Sequence, residues 1–233
     1  MSKSSTARER VRAELTREIT EIAQRQLATE GAAGLSLRAV AREMGMVSSA
    51  IYRYFPSRDD LLTALIIKGY NAIGEAVEKA DAACARDDYA GRWLAVCRAV
   101  RDWALARPHE YALLYGSPVP GYQAPQDTVG PAMRDSVVYG RILSEAYAAG
   151  ALNPPDSCPP PPPSFAGDAA LLREAVMPGL PDDVLTRAVA AWTGLFGMVS
   201  FELFGQFNNV ITDRAALFDH TMARLARLIG LPA

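Results

Sequence analysis

Apolar residues recur at helical spacing through nearly all of this chain, and glycine and proline mark the breaks between runs. Val11, Leu15, Ile19, Ile22 and Leu27 follow one another at three-to-five-residue steps in a segment otherwise full of arginine and glutamate. Such a stripe buries one face of a helix and leaves the rest in water. Gly31 and Gly34 close it. No strand candidate survives, since no segment alternates at period two, and no internal repeat is visible. The spacing therefore predicts an all-α fold. Ser36 caps a short helix through about Met44, Gly45 stops it, and a second short helix follows over about Ser48 to Tyr54. Ser57 caps a long helix to about residue 80, with Asp59 and Asp60 in its first turn. Further helices are expected near 88–106 and 109–115, over about 20 residues ending at Gly150, and near 182–206 and 213–229. The prolines and glycines of 116–127 make a loop, and NPPDSCPPPPPS (153–164) reads as a linker that cannot be helical.

Half of the 233 residues are hydrophobic, enough for a substantial core. The net charge of -2 hides an asymmetry: residues 1–58 carry ten Lys/Arg against six Asp/Glu, and residues 59–233 carry fourteen against twenty. A basic head on an acidic body suits a polyanion approached by the head alone. Cys84, Cys97 and Cys158 are far apart, and with only His109 and His220 beside them no metal-ligand spacing emerges. Neither metal nor cofactor is expected, and the cysteines read as reduced thiols of a cytoplasmic protein. No apolar run followed by a small-residue cleavage site occurs in the first thirty residues. AVAAWTGLFGMVSF (188–201), uncharged for 14 residues, is shorter than the roughly 20 that span a bilayer and reads as a buried helix. The chain lacks G-x-S-x-G and any histidine partnered to a plausible nucleophile, so an enzyme is not expected. A helical scaffold that docks partners through its proline tract is the non-enzymatic alternative.

Residues 36–58 carry the densest signal. Two short helices joined by Gly45, Met46 and Val47, with a turn and a long helix after them, have the layout of a helix-turn-helix. In that motif the second helix enters the major groove with its N-terminal end toward the bases. Ser48 and Ser49 lie at that end, and Ala50 and Ile51 one turn on, where alanine meets a thymine methyl and isoleucine anchors the helix to the core. Tyr52, Arg53 and Tyr54 crowd the far end, where a guanidinium and long hydroxyls suit phosphates. Phe55 turns into a small three-helix core. Pro56 then starts the next helix beside the backbone, where its first amides can help hold a phosphate. The spacing alone also fits three amphipathic helices with an aromatic core and no DNA.

SLRAVAREMGMVSSAIYRYFPSRDDLLTALI (36–66) closely resembles the DNA-binding signature of the tetracycline-repressor (TetR) family, a likeness that covers about residues 10–80. The resemblance implies an N-terminal three-helix helix-turn-helix DNA-binding domain, placed at residues 1–58, joined to a C-terminal helical ligand-binding and dimerisation domain, 59–233. It implies a homodimeric repressor, released from a pseudo-palindromic double-stranded DNA operator by a small-molecule effector; an activator of the same fold is the alternative. Arg38 matches the position from which an arginine reads a guanine edge. Ser48, Ser49 and Ala50 match base-facing positions, Tyr52 and Tyr54 aromatic positions on backbone and base edges, and Arg58 a phosphate contact. Ser36 and Arg53 complete the DNA-binding candidates. The sequence departs from the family at Val47, where a capping Ser or Thr is usual; Ser48 is expected to take over that cap and leave Ser49 as the base contact.

In WTGLFGMVSFELFGQF (192–207), Gly194, Gly197 and Ser200 stand three apart, with Trp192, Phe196, Val199 and Leu203 alongside. Small residues at that spacing let another helix approach closely. The last helix adds Phe218, Met222 and Leu225, so a four-helix dimer interface about a two-fold axis is expected from these two segments. The stretch is also similar to the Trp-containing C-terminal domain of a large actinobacterial-type subgroup of the family, which has a counterpart of YGSPVPGYQAP. Trp93, Trp103, Tyr111, Tyr115 and Tyr139 lie on the middle helices that enclose the family's pocket, and with Trp192 and Phe196 they are the ligand candidates. Few charges fall among them, which favours a neutral or lipophilic effector.

Overall fold

The computed structural model describes residues 3–153, 155 and 158–232, with side chains from Ala7 onward. Pro154, Asp156 and Ser157 of the proline-rich segment thus lie outside the described residues. The chain forms α1 (Lys3–Gly34), α2 (Leu37–Glu43), α3 (Ser48–Ile51), α4 (Arg58–Ala82), α5 (Tyr89–Ala106) and α6 (Pro108–Tyr115). It continues through α7 (Val129–Ala132), α8 (Arg134–Ala148), α9 (Ala166–Ala175), α10 (Asp182–Leu203) and α11 (Arg214–Ile229). No strand occurs among the described residues.

These helices divide into two compact units: residues up to Tyr70 with Arg107–Val129, and Asn71–Ala106 with the chain from Gly130 onward. The spatial division therefore does not follow one cut in the sequence, because α6 and the loop after it belong with the N-terminal helices and α4 contributes to both units.

In the first unit, Ile19, Ile22 and Ala23 of α1 meet Leu37, Val40 and Ala41 of α2, Ile51, Phe55, and Leu61, Leu62 and Leu65 of α4. Of the stripe read from the sequence, Ile19 and Ile22 enter this core and Leu27 is buried, whereas Leu15 is half-buried and Val11 stands exposed. Ser36 caps α2 by accepting the Ala39 amide at 3.4 Å. α2 ends in a Schellman turn, with Met46 N–H donating to Ala41 and Gly45 N–H to Arg42. Gly45 sits at φ 67°, where a side chain is strained, which makes this glycine the pivot between α2 and α3. Ser57 accepts the Asp60 amide at 3.1 Å and donates to the Asp60 carboxylate at 2.7 Å, so it caps α4 as expected.

In the second unit, α5, α8, α10 and α11 bury Trp93, Val100, Tyr139, Ile142, Ala188, Leu195, Val199, Phe218 and Met222. Two buried polar tips are satisfied by main chain: Trp93 donates its indole N–H to Met222 at 2.9 Å and Tyr139 its hydroxyl to Ala188 at 2.8 Å. α10 is long and apolar enough, by length and composition alone, to cross a membrane. Here it packs against α5, α9 and α11, and it carries Arg187 paired with Asp183 and Glu202 paired with Arg101, each at 2.7 Å. Asp81, fully buried at the end of α4, is held by Arg92 at 2.7 Å, Arg86 at 2.9 Å and Arg141 at 2.7 Å.

Three elements differ from the sequence expectation. The second short helix covers Ser48–Ile51 rather than reaching Tyr54. Arg53 and Tyr54 donate to carbonyls three residues back, tightening the chain, and Pro56 bars Phe55 from the helical region. The helix ending near Gly150 is broken at Met133 into α7 and α8, after Pro131. α9 is a helix that the sequence reading left unassigned, between the linker at 153–164 and the helix near 182: only its Ala169 is fully buried, so its ten residues present almost no apolar stripe to read.

Candidate nucleic-acid interface

α2, the turn at Gly45 and α3 present a set of side chains that the core does not use. Arg38, Ser48, Ser49, Tyr52 and Arg53 are exposed, while Ser36, Ala50 and Tyr54 are half-buried at their edge. Ile51 and Phe55, from the same few residues, are buried and hold the segment to the unit. Arg38 makes no hydrogen bond or ion pair among the described residues, so its five donors remain available.

Ser48 does not cap α3. Val47 occupies the cap position, 71 % exposed and with no side-chain hydrogen bond, and Ser48 is the first helical residue. Both serine hydroxyls therefore face outward from the first turn, and neither is used for capping. Arg58 also departs from expectation. Its guanidinium donates to the carbonyls of Ala32 at 2.6 Å and Leu35 at 3.2 Å, with Asp59 at 3.6 Å. A group committed to two carbonyls at the end of α1 holds α4 against α1, and little of it is left for a phosphate.

Two arginines that the sequence reading passed over lie near Arg53 on an open surface of the same unit. Arg8 and Arg12 border a groove of about 460 Å³ with Ala7, Val11, Arg53 and Tyr54. Arg12 donates to the carbonyl of Arg53 at 3.1 Å, and its guanidinium lies 5.4 Å from the centre of the Tyr54 ring. α1 is thereby fastened to the turn after α3, and three guanidiniums converge on one concave surface. A signal for this was present in the sequence: Arg8 and Arg12 stand four apart on a helix, where like charges cost stability unless an anion joins them.

Residues 19–65 match the model of bacterial regulatory proteins of the tetR family, and residues 93–225 match that of the tetracyclin repressor-like C-terminal domain. The HTH-type transcriptional regulator Rv1816 of Mycobacterium tuberculosis is 41 % identical over 223 residues, covering 94 % of this chain and 92 % of that protein. The chain belongs to the TetR family of transcriptional regulators. The crystal structure of the regulatory protein SCO4313 is similar in fold, with TM-score 0.76 at 36 % identity, covering 93 % of this chain and 97 % of that one. AibR, solved with isovaleryl coenzyme A and operator DNA, is 16 % identical with TM-score 0.55 over 93 % of this chain and 99 % of its own, and shows the fold alone. The helix-turn-helix thus belongs to a DNA-binding regulator and not to an enzyme.

Within this TetR chain the ligand candidates do not converge. Tyr111 and Tyr115 belong to the first unit, where their rings lie 5.0 Å apart and Tyr115 meets Tyr70 edge-on at 6.1 Å. Trp93, Trp103 and Tyr139 are core of the second unit, their rings enclosed. Only Tyr139 and Trp192 border a common recess; Phe196 stacks on Trp192 at 5.0 Å. The dimer candidates divide similarly. Val199, Phe218 and Met222 are fully buried inside the unit and have no surface to offer a second copy. Gly194 faces Leu225 so closely that a Cβ there would come within 2.9 Å of its methyl, which spends this small residue on the α10–α11 contact. Trp192, Gly197, Ser200 and Leu203 keep exposed or half-exposed surface, beside Phe201 and Phe204 at 53 % and 46 % exposure.

Proposed function

We propose that this regulator is a cytoplasmic, homodimeric repressor that leaves its operator when a small molecule enters the C-terminal unit. The observation that supports the DNA-reading half is the exposed set around α3, Arg38 on a guanine edge, Ser48 and Ser49 toward the bases and Tyr52 on the backbone, with half-buried Ala50, Tyr54 and Ser36 at its edge. Arg53, Arg8 and Arg12 supply the phosphate contacts. Dimerisation rests on the α10 face that carries Gly197, Ser200, Phe201 and Phe204, apolar side chains left in solvent along one side of a helix. Two such protomers would set their reading helices about 34–36 Å apart on an inverted repeat.

The test is selection of binders from a random duplex library with the purified protein at near-physiological salt. Recovery of an inverted repeat is expected. A protein that holds random duplexes as tightly as any selected one would sink the reading.

A further inference from the structure

The second unit has a recess of about 230 Å³ walled by Ser136 and Tyr139 of α8, Leu172 and Val176 at the end of α9, and Val189 and Trp192 of α10. We propose that this recess is the effector site, and that it takes a small neutral molecule, mostly hydrocarbon. The proposal rests on the ligand-released reading above and names the class of ligand.

The lining decides the class. No charged side chain borders the recess. Tyr139 presents its ring, since its hydroxyl is held by the Ala188 carbonyl at 2.8 Å. Ser136 has its hydroxyl on the Asp135 carboxylate at 3.2 Å. The remaining walls are the side chains of Leu172, Val176, Met177, Val189 and the indole of Trp192, so the lining is almost wholly apolar. A carboxylate entering here would lose its water with no cation to replace it. A cavity of about 150 Å³ holds benzene, so by proportion about 230 Å³ holds roughly nine heavy atoms. The far wall depends on Gly140: a Cβ there would overlap the Val176 carbonyl oxygen, so α9 can end against the backbone of α8 only because residue 140 has no side chain.

Acetophenone and benzoate have the same shape and differ in charge, so their binding can be compared directly by titration calorimetry without DNA. The wild type should bind acetophenone saturably and give no heat with benzoate. Val189→Trp and Leu172→Trp fill the recess from opposite walls, and each variant shown by circular dichroism to be folded should lose at least tenfold in acetophenone affinity. Benzoate binding as tightly, undiminished binding by folded filled variants, or no saturation with acetophenone up to its solubility would each overturn the proposal. So would dissociation of a dimer by Val189→Trp, which would mean that a second copy covers the recess. With a selected operator in hand, acetophenone should weaken operator binding by about fivefold or more in the wild type and leave Val189→Trp unaffected; an unchanged affinity at saturation would remove the recess as effector site. Failure to select any operator counts against the regulator reading and leaves the heats of the first experiment untouched.

Discussion

Arg38 and Arg58 sit twenty residues apart in the same signature, and the structure gives them opposite circumstances. Arg38 is exposed with all donors free, whereas Arg58 is tied to Ala32 and Leu35. Arg38→Ala should therefore cost about 1–3 kcal/mol in operator binding and relax preference at one position per half-site, measured by titrating operators that vary at each base. Arg58→Ala should lower the unfolding free energy by about 1–3 kcal/mol, because two buried carbonyls lose their donors, while the salt dependence of DNA binding stays as it was. Arg8→Ala should do the reverse: fold stably, weaken all DNA sequences alike, and reduce the slope of log K against log salt by about one contact's worth. A flat response to Arg8→Ala across salt concentrations would remove the groove from the interface. At this scale the sequence reading put Arg38, Ser48, Ser49, Tyr52 and Arg53 at the surface, and they are exposed in the structure. The sequence had no means to show that a guanidinium at position 58 would find carbonyls twenty-three and twenty-six positions earlier in the chain.

Helices in the second unit are tied at their ends by ion pairs that periodicity does not reveal. Asp81 brings α4, α5 and α8 together through Arg92, Arg86 and Arg141, and Glu145 joins the same cluster through Arg86 and Arg92. Burial by itself would raise the Asp81 carboxyl, but hydrogen bonds from Arg92, Arg86 and Arg141 outweigh it and hold the group below its ordinary value of 3.8. Glu145 is held down by the same balance, with burial opposed by Arg92. A carboxylate whose folded value is depressed stabilises the protein above its unfolded value, and that stability is lost as pH falls through the folded one. Thermal stability should thus be flat from neutrality to about pH 5 and fall steeply below about pH 4. Asp81→Asn should remove part of the acid sensitivity and cost about 3 kcal/mol at pH 7, since Arg86, Arg92 and Arg141 all lose a charge partner and the buried Arg92 keeps only Glu145. Equilibrium unfolding at the two pH values checks both. α9 belongs to the same scale: it forms a wall of the recess although its own residues carry too little apolar pattern to announce a helix.

At the scale of the whole molecule, the proposed dimer would cover the exposed aromatic face of α10 with a second copy and match the two-fold symmetry of the proposed inverted-repeat operator. Phe201→Glu should shift the protein from dimer to monomer in sedimentation velocity, with helical content unchanged because the residue lies on the surface. The monomer should also lose operator affinity by much more than the dimer loses from any one phosphate contact, since two half-sites no longer bind as one unit. A protein that sediments as a monomer before the substitution would remove α10 as the interface.

Helical class, the caps at Ser36 and Ser57, the pivot at Gly45 and the surface position of Arg38, Ser48, Ser49, Tyr52 and Arg53 were all determined by the sequence itself. They depend on residues a few positions apart, where backbone geometry leaves few choices. The tertiary structure alone decided which aromatics are core and which border a recess, which of Gly194 and Gly197 is consumed inside the protomer, and that Arg12 is fastened to Arg53 forty-one residues later. Those outcomes turn on which helix lies against which, and an apolar stripe states that a face will be buried without stating what buries it.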